Sequence, residues 1–263
     1  MHVCHCKRPK TKDLRTGNGF TLIELSIVIV LIGLIVAGVI GGQALVHQAK
    51  LRSEIGQLAK FETAFNAFYL EYNGIPGDFA KAEAFWGAGN TNSGDGDGRI
   101  EKADGTILMA IGNYGGEVSH AFQHLSLSGL INEQFDNSNN INQGFPSSKV
   151  ESGLGILMGS NYGSGSWQHK CNYKGRNIPM LIMAYRQPHE LPDLNAADGG
   201  SGTAYKVQYT ANIDKKIDGG NGDAIGGKFV AVNPSGTLTG VCHNNGVYQV
   251  QNNSSCRACY YLR

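Results

Sequence analysis

The run from Phe20 to Ile40, FTLIELSIVIVLIGLIVAGVI, carries a single charged side chain, Glu24. As a helix rising 1.5 Å per residue it spans roughly 30 Å, the hydrocarbon thickness of a bilayer. Such a segment requires either a membrane or an equally apolar helical packing partner. Its N-terminal flank holds Lys7, Arg8, Lys10, Lys12 and Arg15 against Asp13. A basic flank stays in the cytoplasm, so residues 1–19 are expected inside and the remainder outside. A secretory signal peptide fits poorly, because the apolar stretch is longer than an h-region. The sequence after it, IGGQALVHQAKLRSE, has no small-x-small cleavage site and reads as continuing helix.

Glu24 is the anomaly in that run. A carboxylate placed in a membrane helix costs on the order of 2.5–3.5 kcal/mol and normally has a partner. One reading lets it snorkel to the headgroups. The other uses the Gly19-Phe20 step: a cut there creates an amine at the head of the apolar helix. Buried cation and anion then neutralise each other between neighbouring subunits, each being costly alone.

The order Gly19, Phe20, Thr21, Leu22, Ile23, Glu24, Leu25, after a short basic leader and ahead of a long apolar run, resembles the processing motif of type IV pilins and type II secretion pseudopilins. The resemblance implies cleavage after Gly19 by a prepilin peptidase and N-methylation of Phe20, which preserves the positive charge. It implies that Glu24 registers each subunit against a neighbour's N-terminus in a helical filament. The partners implied are other pilin or pseudopilin subunits, the peptidase, an inner-membrane assembly platform and membrane lipid. The location implied is a single-pass inner-membrane protein with a periplasmic head, later part of a pilus or pseudopilus.

Beyond the membrane, Leu51, Ile55, Leu58, Phe61, Phe65, Phe68 and Tyr72 recur at steps of three or four, one stripe of an amphipathic helix. Arg52, Glu54, Lys60, Glu62 and Glu71 are read as lying mostly off it. Asn73-Gly74 with Pro76 beyond predicts the stop, glycine taking the left-handed cap. Gly33, Gly38, Gly41 and Gly42 read as sites of tight helix packing, or as points of local melting on entry to a filament. The expected organisation is a leader (1–19), a transmembrane and polymerisation helix (20–42), an amphipathic helix (43–73) and a glycine-rich globular head (74–263).

Most of the 37 glycines fall after residue 73, so the head is expected to be rich in loops. Asp78 is read as the cap of a helix FAKAEAFWG, with Phe79 and Trp86 as buried anchors. EVSHAFQHLSLSGLI is predicted helical with Val118, Phe122, Leu125 and Leu130 inward. His120 and His124 are placed on its surface. GLGILMGS, IPMLIMAY, KFVAV, TLTGVC and CYYLR are strand candidates. AYKVQYTANIDKKIDGG is read as a helix from the spacing of Tyr205, Tyr209, Ile213 and Ile217. The fold class is α+β, pilin-like: a long N-terminal helix packed on an antiparallel sheet.

Two acidic segments have ligand-like spacing. SGDGDGRIEKAD resembles an EF-hand-type calcium loop, with Ser93, Asp95, Asp97, the Arg99 carbonyl and Asp104 at coordinating places. Ser93 departs from the usual leading carboxylate and Asp104 from the usual glutamate; a plain Gly/Asp turn is the alternative. Asp214, Asp218 and Asp223 form a second cluster, read either as a calcium loop or as a capped helix end. Calcium is the cofactor these two segments point to.

Cys4 and Cys6 fall in the leader. Cys171, Cys242, Cys256 and Cys259 face an oxidising compartment, where two disulfides in any of three pairings are expected. CRAC also admits a redox or Cys4 zinc reading, without the strand-to-helix context of the former. Formal net charge is +1, which gives no electrostatic footprint for nucleic acid. No nucleophile elbow, phosphate loop or His-Glu metal helix is present, so the expected role is structural rather than enzymatic. A membrane-anchored, uncut binding module for calcium, glycan or protein is the alternative.

Overall fold

The computed structural model describes residues 20–101, 116–138, 140–151, 153–160, 178–185, 205–219, 223–233, 242–251 and 255–262. Gly19 and the rest of the leader, Asp104, Cys171 and most of the TLTGVC segment lie outside them. The chain divides into two compact units, Met1–Val46 and His47–Arg263.

Helix α1 runs from Leu22 to Tyr72, 51 residues. Its first part belongs to the N-terminal unit, where the apolar side chains are exposed, from 48% at Val28 to 88% at Leu22. An 18-residue window of the helix reaches a mean hydropathy of 2.9, so the helix is long and apolar enough to cross a membrane. The helix stops where the sequence indicates, with one substitution of roles. Asn73, at φ 49°, takes the left-handed conformation. Gly74 instead leaves room for Phe79, whose Cδ2 would lie 2.9 Å from an added Cβ.

In the second unit the inward stripe of α1 is Leu51, Glu54, Leu58, Phe61, Ala64, Phe65 and Phe68. These apolar residues join one core with the strands. The remaining helices are α2 (Ala82–Trp86), α3 (Glu117–Leu127) and α4 (Val207–Ile217); the strands are β1 (Leu154–Ser160), β2 (Pro179–Tyr185), β3 (Tyr205–Lys206), β4 (Phe229–Val232), β5 (His243–Asn244), β6 (Val247–Tyr248) and β7 (Ser255–Tyr261). A five-stranded sheet runs β1-β2-β7-β3, with β4 also on β7. Every pairing is antiparallel, with Leu154 opposite Tyr185, Met180 opposite Tyr261 and Phe229 opposite Tyr260. All seven β1 residues are buried, which explains its uninterrupted apolar sequence. Along β4, Phe229, Val230 and Val232 enter the main core, and Ala231 a smaller cluster with Val207, Ala224, Cys242 and Cys256.

Several expectations are corrected. Asp78 does not cap α2, whose N-cap is Lys81 without a side-chain bond; its carboxylate accepts the N–H groups of Gly96 and Gly98. His120 and His124 do not lie on a surface. Residues 117–126 of α3 are all buried, and His124 is 0% exposed. Tyr205 belongs to β3 and not to the helix that follows it. Glu54 is buried: the Tyr205 and Ser148 hydroxyls and the Lys149 N–H all donate to it. Three donors repay much of the cost of burying a carboxylate, although desolvation still raises its pKa.

Candidate functional site

The first turn of α1 is closed by its own side chains. Thr21 immediately precedes the helix, and its carbonyl accepts the N–H of Leu25 at 3.2 Å. Its Oγ accepts the N–H of Glu24 at 3.3 Å. In return Glu24 Oε2 accepts the Thr21 N–H at 2.8 Å and the Thr21 hydroxyl at 2.8 Å. This is a capping box, Thr-x-x-Glu, in which two otherwise orphaned donors are satisfied reciprocally. At the third helical position the carboxylate meets the Thr21 N–H and hydroxyl and the positive end of the helix dipole, all of which favour a negative charge there. The Thr-x-x-Glu spacing was the signal available in sequence. Phe20 is exposed at 87%, and Glu24 Oε1 accepts no hydrogen bond among the described residues.

The calcium-loop candidates are brought together only in part. One oxygen each of Asp78, Asp95 and Glu117 lies within 4.8 Å of the others, as does one each of Asp95, Asp97 and Glu101. Ser93 Oγ is turned away, accepting the Glu83 N–H at 3.1 Å. Asp97 pairs with Arg99 at 3.2 Å. Asp78 and Glu117, which the loop motif does not include, are 3% and 8% exposed. Glu117 accepts the N–H groups of Asp95 and Glu101 at 3.0 Å each. Burial is the main cause pushing Asp78 up to about 6 and Glu117 up to about 7, opposed by those amide bonds. Chemically this is an all-oxygen, carboxylate-rich set suited to a hard divalent cation. It comes from three separate segments, so no single motif could display it.

The second acidic group gathers at the end of α4. Asp214, in its last turn, is 1% exposed. Burial pushes its carboxyl up to about 7, with Asp218 and Asp223 adding to the rise. Asp218 accepts the N–H groups of Lys228 and Phe229 at 2.8 and 2.9 Å.

Cys242 is bonded to Cys256, with Cα atoms 5.1 Å apart. Cys259 is also disulfide-bonded, so Cys256 and Cys259 of CRAC do not pair with each other.

His124 is held at both ring nitrogens. Gly77 N–H donates to Nδ1 at 2.9 Å, so Nε2 carries the proton and faces Thr91 Oγ at 3.1 Å and the Asn92 carbonyl at 3.2 Å. Its ring lies 6.3 Å from that of Phe68 and 5.4 Å from that of Trp86. It joins α3 to the aromatic end of α1 and performs no visible chemistry.

No curated protein and no solved structure matches the chain. Residues 14–40 match the family described as the prokaryotic N-terminal methylation motif. That segment contains the leader's end, the Gly19-Phe20 step, the capped turn with Glu24 and the apolar run, and it is followed by a long helix and an antiparallel head. The chain therefore carries, at residues 14–40, the N-terminal methylation motif typical of type IV pilins and pseudopilins, on an α+β pilin-like arrangement.

Proposed function

We propose that the chain is a structural subunit of a type IV pilus or type II secretion pseudopilus. It is inserted in the inner membrane with its head in the periplasm, cut by prepilin peptidase after Gly19, methylated at Phe20 and polymerised with other pilins through residues 20–72. The observation that carries this reading is the exposed apolar helix that begins within the methylation motif. Glu24, with one carboxylate oxygen engaged by Thr21 and the other not, suits an intersubunit partner such as a neighbour's Phe20 amine. The size of the head fits a minor or tip subunit better than the most abundant one. Calcium held by Asp78, Asp95 and Glu117 belongs to the same reading, and Asp95→Asn should weaken it.

Mass spectrometry of membrane-extracted protein tests the processing: the expected N-terminus is N-methylated Phe20. An intact leader in cells with an active prepilin peptidase would refute it in favour of an uncut, membrane-anchored binding module. Glu24→Ala should leave cutting intact and impair assembly, and normal filaments from that variant remove the role given to Glu24.

A further inference from the structure

A short way beyond its apolar run, α1 is crossed by α4. The Tyr209 ring lies 4.5 Å from that of His47, and Lys216 Nζ donates to Gln48 Oε1 at 3.3 Å. Residues about two turns apart on α4 thus reach adjacent residues of α1, so α4 runs across α1 and not along it. Its inner face, Val207, Thr210, Ile213 and Asp214, is buried. Tyr209 and Lys216 lie on the opposite side of the helix, with Lys206 Nζ 5.8 Å from the centre of the Tyr209 ring.

The surface formed at this crossing is basic. Lys50, Arg52, Lys206, Lys215 and Lys216 are all exposed, and no acidic side chain is exposed within residues 47–53 or 206–217, Asp214 being buried. The ion pairs among the described residues use Lys60, Arg99 and Lys228 instead. With the apolar run as the hydrocarbon span, helical rise places His47 about 10 Å beyond Ile40. Headgroups extend about 5–8 Å past the hydrocarbon, and their potential reaches about 8 Å further at physiological salt. Lysine and arginine stems are long enough to bring their charges back into that layer. Tyrosine beside lysine is also the composition of a membrane interface.

We propose that α4 and the adjoining turns of α1 bind anionic phospholipid headgroups of the periplasmic leaflet, holding the head on the inner membrane before the subunit enters a filament. The inference rests on the reading of α1 as a membrane-spanning helix. Headgroup phosphates supply the negative charge that these five cations lack within the head, and Tyr209 supplies the amphipathic ring of an interfacial anchor.

The test reconstitutes the full chain in vesicles of phosphatidylcholine, with or without phosphatidylglycerol as one lipid in three. Acetylation of each lysine is timed by mass spectrometry, with exposed Lys81, beside the Tyr72 end of α1, as internal control. Binding to phosphate lowers the free-amine fraction, so Lys206, Lys215 and Lys216 should react about three- to fivefold more slowly in the anionic vesicles. High salt should remove the difference, and Lys81 should show none. Changing all three to glutamine should lower the chain's preference for spin-labelled phosphatidylglycerol; the leader's charges are the same in both proteins. Equal acetylation rates in the two membranes, from a chain that resists carbonate extraction, would overturn the proposal and leave the spanning helix intact. Protection that arises only in assembled filaments would overturn it too, assigning the basic surface to a neighbouring subunit. Release of the chain by carbonate would overturn the spanning helix and this inference with it.

Discussion

Acidification should loosen the head through His124, and the size of the effect follows from its surroundings. Burial holds the imidazole down to about 4 from the usual 6.5, with His120 nearby acting in the same direction. As pH falls below 6.5 the unfolded ring takes up a proton while the folded ring resists until about 4. Stability from this residue is thus complete above 6.5, declines through the window and levels off below 4. Two and a half pH units at 1.36 kcal/mol each amount to about 3 kcal/mol. Protonation would also place a donor opposite the Gly77 N–H, which now donates to Nδ1 at 2.9 Å. The assay is urea denaturation of the detergent-solubilised chain between pH 4 and pH 7, comparing wild type with His124→Gln. The buried carboxylates titrate in both proteins, so their contribution cancels in the difference. Wild type should lose about 3 kcal/mol more than the variant across the window. Parallel curves would refute the reasoning, showing that the ring is not kept neutral by its site.

Thr21→Val removes the capping box and should cost the first turn about 1 kcal/mol, read as faster amide exchange at residues 22–24 with cleavage after Gly19 retained. Glu54→Ala leaves Tyr205 and the Lys149 N–H without their buried acceptor and should cost about 2–3 kcal/mol in denaturant unfolding. A double-mutant cycle with Tyr205→Phe should show positive coupling, and simple additivity would sink that account. Replacing Cys242 and Cys256 together by alanine opens a loop of sequence separation 14 and should cost about 3 kcal/mol, measured as a shift in urea midpoint.

Legibility followed the reach of each signal. The membrane run, the α1 stripe and strands β1, β2 and β4 are local patterns, and apolar period or continuity was enough to locate them. Glu54 was misjudged because it is charged, yet it stands at the step between Leu51 and Leu58 that the stripe requires. Its compensation lies in Ser148, Lys149 and Tyr205, which no local pattern connects to it. His120 and His124 were placed outward by an amphipathic reading that fails when a helix is buried on nearly all sides. The β5–β6 hairpin had an audible cue in Asn245-Gly246, whose φ of 48° and 87° fit a type I′ turn. Asp78 and Glu117 were beyond reach, since only tertiary folding brings them to the Asp95 loop.

The place of β7 in the sheet has a consequence for biogenesis. It pairs with β2, β3 and β4, and all three precede it in the chain. The sheet therefore cannot close until Ser255–Tyr261 is available, and β1 and β2, which pair with each other, lack their central neighbour until then. If the head is exported as proposed, completion of the sheet awaits translocation of its last strand, and until then the apolar strands that precede it lack their central partner.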